Sequence, residues 1–164
     1  MNIIKSKVAA AMASALGLVA AASPAMAQVV ANVTNTANFT FTTGTPVLLA
    51  TGAINMTAGQ TLVATFSAEC AVDAAAGISN AWTDIDIQLV NEVGTVVNTL
   101  SPTAGAGDAF CTANGTAGFD GWTTASMTVA QTFSASGFFS LRVVGRVNGG
   151  LGAWYGERSL VVLR

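Results

Sequence analysis

Histidine is absent from all 164 residues, and the only two lysines, Lys5 and Lys7, lie within the first seven. Without histidine there is no Ser-His-Asp or Cys-His constellation and the commonest metal ligand is missing. Without a lysine further along, Ser-Lys catalysis is excluded as well. No G-x-S-x-G elbow and no phosphate-cradling glycine loop occurs. Charged residues make up only 9% of the chain and aromatic residues 7%. Beyond residue 27 four arginines stand against eight acids, a formal net charge of −4. A weakly acidic segment without lysine suits neither nucleic acid nor an anionic membrane surface.

The first 27 residues have the order of a secretory signal peptide. Met1 to Lys7 is basic, and Val8 to Ala22 is an uncharged, alanine-rich apolar run. Ser23-Pro24-Ala25-Met26-Ala27 then offers a helix breaker and an A-x-A cleavage site. The expected mature chain begins at Gln28 and is exported, either secreted or held in the periplasm or at the cell surface. Residues 28–37 read as a flexible polar lead-in, and 38–164 as one domain. No second apolar run approaches the roughly 20 residues of a membrane-spanning helix, so no transmembrane anchor is expected. In an exported chain the two cysteines, Cys70 and Cys111, read as one disulfide. That bond should contribute on the order of 4 kcal/mol by constraining the unfolded chain.

What is abundant is the material of strands. Threonine, valine and phenylalanine recur between Gly, Asn and Pro breaks, and no helical period appears beyond the leader. Strands are expected at about 38–43, 47–57, 61–72, 84–91 and 95–100, then at about 108–112, 122–133, 137–147 and 154–163. Alternation assigns the faces. Leu62, Ala64, Phe66, Ala68 and Cys70 point to a core, as do Ile85, Ile87 and Leu89, and Phe139, Leu141, Val143 and Val147. One wet face per strand is the mark of antiparallel sheets. Eight or nine such strands predict an all-β, two-sheet antiparallel sandwich of jelly-roll type. An outer-membrane barrel fits less well, because aromatics are too few for two interfacial girdles.

Candidate chemistry is sparse. Asp84 and Asp86 share a strand face and are the candidates for a cation or a glycosidase pair, with Glu69 joining them if its strand is adjacent. Alternate acids also keep a sheet face wet, and Arg142 and Arg146 are their expected cross-strand partners. Gly105-Ala106-Gly107-Asp108 and Gly118-Phe119-Asp120-Gly121 lack the period of calcium-binding repeats and read as turn-rich loop. The sequence calls for no metal and no cofactor. Trp82, Trp122 and Trp154 all sit at strand entries, where they either cover the core rim or stack on sugar rings. The long Gly-rich stretches 73–81 and 101–121 are the natural places for binding.

The ordered series Phe66-Ser67-Ala68-Glu69-Cys70, Trp82-Thr83-Asp84-Ile85-Asp86-Ile87, Ser101-Pro102-Thr103, Asp108-Ala109-Phe110-Cys111 and Arg158-Ser159-Leu160-Val161-Val162 resembles a group of uncharacterised bacterial secreted β-sandwich proteins. The resemblance covers most of 45–163. It implies the fold and the disulfide and carries no activity. The expected function is therefore a non-enzymatic exported binding module with a glycan or another cell-surface ligand. A self-associating structural subunit, adding residues 28–37 to a neighbour's sheet, is the alternative. A small glycan hydrolase using Glu69, Asp84 or Asp86 is the third reading.

Overall fold

The computed structural model describes residues 27–42, 46–100 and 109–164. The leader up to Met26, the Ser101-Pro102-Thr103 segment and Gly105 to Asp108 lie outside the described residues. Among the described residues ten strands follow one another: β1 (Val29–Asn35), β2 (Phe39–Thr42), β3 (Val47–Met56), β4 (Thr61–Ala74), β5 (Trp82–Asn91), β6 (Val96–Leu100), β7 (Cys111–Thr112), β8 (Gly118–Thr132), β9 (Gly137–Asn148) and β10 (Gly152–Leu163). No helix of the described residues is long and apolar enough to cross a membrane.

Two antiparallel sheets form the sandwich. The first runs β1-β10-β4-β8, with β2 also on β10; the second runs β3-β9-β5-β6, with β7 also on β5. The pairs β5–β6, β4–β8, β3–β9 and β1–β10 nest inside one another along the chain. Successive long strands alternate between the sheets, which is the jelly-roll wrap.

The alternation predicted from sequence is the packing seen. Leu62, Ala64, Phe66, Ala68 and Cys70 are buried from β4, and Ile85, Ile87 and Leu89 face them from β5. Leu141, Val143 and Val147 add the β9 side, with Leu160 and Val162 from β10. Cys70 on β4 and Cys111 on β7 form the disulfide, with Cα atoms 6.3 Å apart. It ties one sheet to the other.

Residues 28–37 depart from the expectation of a flexible lead-in. Val29–Asn35 is β1, registered against β10 from Leu163 to Arg158. As an edge strand it needs only a few inward apolar side chains, and Val30 and Ala31 pack on the core. A bulge in β10 turns Arg158 inward. The register of β10 shifts between Tyr155 and Arg158, so both point inward although they are three positions apart. Such a bulge reverses the face of every later residue. Arg158 is buried and donates to the carbonyls of Leu49, Ala37 and Gly156. Its guanidinium lies over the Phe39 ring, and burial lowers its pKa.

Candidate functional site

The jelly-roll order places β8 and β10 on either side of β4, so residues far apart in sequence meet on one outer face. Trp154 of β10 is registered against Ala71 of β4. The β4–β8 register skips between Cys70 and Val72, which brings Trp122 up on the other side of Ala71. The two indoles meet with centroids 4.7 Å apart at 60°. Trp122 is 61% exposed, and its ring N–H donates to the Phe119 carbonyl at 3.1 Å. One indole is thus held by a backbone bond and by its neighbour while presenting a face to solvent.

Glu69 joins them. It sits on β4 opposite Thr124 of β8. Its carboxylate and the Trp154 ring both lie over Gly156, where any side chain would meet them. Gly156 is buried beneath them. Beside this cluster runs a shallow groove of about 210 Å³, lined by Ser67, Glu69, Thr124, Glu157 and Ser159. An exposed aromatic face next to carboxylates and hydroxyls can stack on an apolar ring face and hydrogen-bond its rim.

The other candidates lie elsewhere. The chain changes sheets between β4 and β5, so Glu69 on β4 and Asp84 and Asp86 on β5 belong to different sheets, and the three acids do not gather. Asp86 forms an ion pair with Arg146 of β9, and Asp84 is registered directly opposite Arg146. Among the described residues no three His, Cys, Asp or Glu side chains converge as a metal site. Trp82 stands at the start of β5, its indole N–H buried and without a partner among the described residues, beside a cavity of about 110 Å³ lined by Ser79, Asn80, Ala109 and Thr112. Only two of the three tryptophans therefore form a cluster.

Loop order near the site depends on Asp120, which the sequence reading placed in turn-rich loop. It is 7% exposed, and its carboxylate accepts the backbone N–H groups of Asn114 and Thr116 at 3.0 and 2.6 Å. Gly121 follows at φ +65°, where a Cβ would strike the Thr112 carbonyl. Together they set the entry of β8 and so the position of Trp122.

No family model and no curated protein matches this chain. Solved structures do. The VP2 subviral particle of infectious bursal disease virus is similar over 87% of this chain and 36% of that one, with TM-score 0.52 and 18% identity. The structure of the Gx strain of the same virus is similar over 85% and 32%, with TM-score 0.53 and 16% identity. This chain spans about a third of the length of those proteins. At such identity the likeness is one of fold, and it agrees with the jelly-roll order read from the strands.

Proposed function

We propose that this chain is an exported, non-enzymatic binding module whose Trp122–Trp154–Glu69 face takes a carbohydrate. The observation that carries the reading is Trp122, held against Trp154 and mostly exposed beside a carboxylate. Indole faces stack on the C–H faces of sugar rings, and Glu69 and Thr124 are suited to the hydroxyls around them. The groove is open and shallow, which suits a stretch of polymer better than a small enclosed ligand. Export is supported by the leader pattern and by the inter-sheet disulfide. The absence of histidine and the Arg146 partner on Asp86 support a role without catalysis.

The test is tryptophan fluorescence and calorimetry against a panel of neutral and acidic polysaccharides. A saturable response that Trp122→Ala weakens at least about tenfold is expected, because exposed stacking rings are concentrated sources of binding energy. A flat response of the wild-type protein across the panel overturns the carbohydrate reading.

A second reading, a self-associating structural subunit, is favoured by the likeness to a protein that forms a subviral particle. The route expected from sequence, addition of residues 28–37 to a neighbour, is disfavoured because those residues already pair with β10 as β1.

A further inference from the structure

The charges of this domain are distributed against the usual rule for sheets. Natural sheets place charge, proline or short strands at their edges to prevent edge-to-edge pairing. Here the charges sit on central strands: Glu69 and Asp73 on β4, Asp84 and Asp86 on β5, Arg142 and Arg146 on β9, Glu157 and Arg158 on β10. The edge strands β1, β2, β3 and β6 carry none. On β8 the one charged residue is Asp120, turned onto the preceding loop.

The edges are nevertheless not equivalent. The β1/β2 edge is divided into runs of seven and four residues. On β3, Arg158 occupies the Leu49 carbonyl and Arg164 the Asn55 carbonyl. The β6 edge is five residues long. By contrast β8 runs 15 residues, pairs only with β4 among the described residues, and has no charge or proline from Gly121 to Thr132. Among the described residues no side chain bonds its backbone between Thr123 and Ala130. Its inward residues Ala125, Met127 and Val129 pack on the core but are only partly covered.

We infer that β8 pairs antiparallel with β8 of a second copy of this chain, centred on Met127. This deepens the second reading above by naming the surface. Met127 is the midpoint of the regular run from Trp122 to Thr132, so this register pairs every residue of it. Met127 then meets Met127 of the copy, and Ala125 meets Val129, extending the apolar inner face. On the outer face Ser126 meets Thr128. The hydroxyl ladder already formed with β4, Ser67–Ser126 at 3.0 Å and Thr65–Thr128 at 2.9 Å, continues across the junction. The product is one continuous sheet of both copies. Its two Trp122 platforms share a face, about 34 Å apart along the strand direction.

The register can be tested by charge. Ser126→Lys with Thr128→Lys sets lysine against lysine twice across the junction, whereas Ser126→Lys with Thr128→Asp sets lysine against aspartate. Both double variants lose the same hydroxyl bonds to β4 and alter only exposed positions, so a loss of fold would affect them alike. The protein is expressed as the full chain with its disulfide oxidised. Its mass is read by light scattering over a concentration series, with circular dichroism as the check on folding. The expected result is a dimer for the wild type, at least about tenfold weaker association for the lysine pair, and restored, salt-sensitive association for the lysine–aspartate pair. A wild-type protein that stays monomeric throughout overturns both this pairing and the self-association reading. A wild-type oligomer that the lysine pair leaves unchanged overturns the β8 pairing alone.

Discussion

Gly156→Ala separates the candidate site from the fold that carries it. A Cβ at 156 would collide with the distal edge of the Trp154 ring and lie 2.7 Å from the Glu69 Oε2. Both are ends of side chains rather than backbone, so β10 can keep its course while the indole and the carboxylate move. Losing the Trp122–Trp154 contact costs about 0.5–1.5 kcal/mol. Forcing the indole off its rotamer costs about the same again. Reduced freedom of the unfolded chain offsets about 0.4–1 kcal/mol. The net destabilisation is about 1 kcal/mol, a fall in Tm of roughly 4 °C for a domain of this size. The optical effect should be larger in proportion. Two indoles at 4.7 Å couple, and their near-ultraviolet circular dichroism should collapse while the far-ultraviolet β signal persists. Polysaccharide binding, where the wild type shows it, should weaken with it. An unchanged near-ultraviolet spectrum at unchanged stability would refute the placement of Trp154 over Gly156. A loss beyond about 4 kcal/mol would mean that the backbone itself cannot accept the methyl group.

Two further outcomes follow from buried groups. Tyr155 is the only tyrosine, fully buried, and its pKa is raised, first by burial and in smaller part by Asp84. Above about pH 10 the unfolded state releases this proton while the folded state keeps it, so stability should fall with rising pH by about 1.4 kcal/mol per unit. Urea unfolding across that range should show this component of the slope vanish in Tyr155→Phe; an identical slope in both proteins would contradict the burial. Asp120→Ala removes the acceptor of two backbone N–H groups and should cost about 2–3 kcal/mol, read by the same unfolding. A cost below about 0.5 kcal/mol would show that the 113–117 loop does not depend on this carboxylate.

The fold was readable because burial in a two-sheet sandwich writes itself at period two. Leu62 to Cys70 and Ile85 to Leu89 alternate without interruption, and the structure buries those residues. β1 escaped because its valines do not alternate at period two, and the Asn and Thr residues around them read as a polar lead-in. Alternation alone does not give the inward turn of Arg158, because the bulge after Tyr155 changes parity.

Strand adjacency was the part that period and composition do not encode. Glu69 and Asp84 are near in sequence but fall on different sheets, because the chain crosses the sandwich between β4 and β5. Trp122 and Trp154 are far apart in sequence but meet, because β8 and β10 both flank β4. A jelly roll therefore favours sites assembled from non-consecutive strands, and its candidate residues are best sought as pairs in the nested order. The same order leaves β8 as an outer strand with a single partner among the described residues, and its composition does nothing to prevent a second. The aromatic platform at one end of β8 and the uncharged edge along the rest are thus two consequences of one topological position. A substitution at Trp122 should affect ligand binding, and one at Ser126 and Thr128 should affect assembly, with little crossover between them.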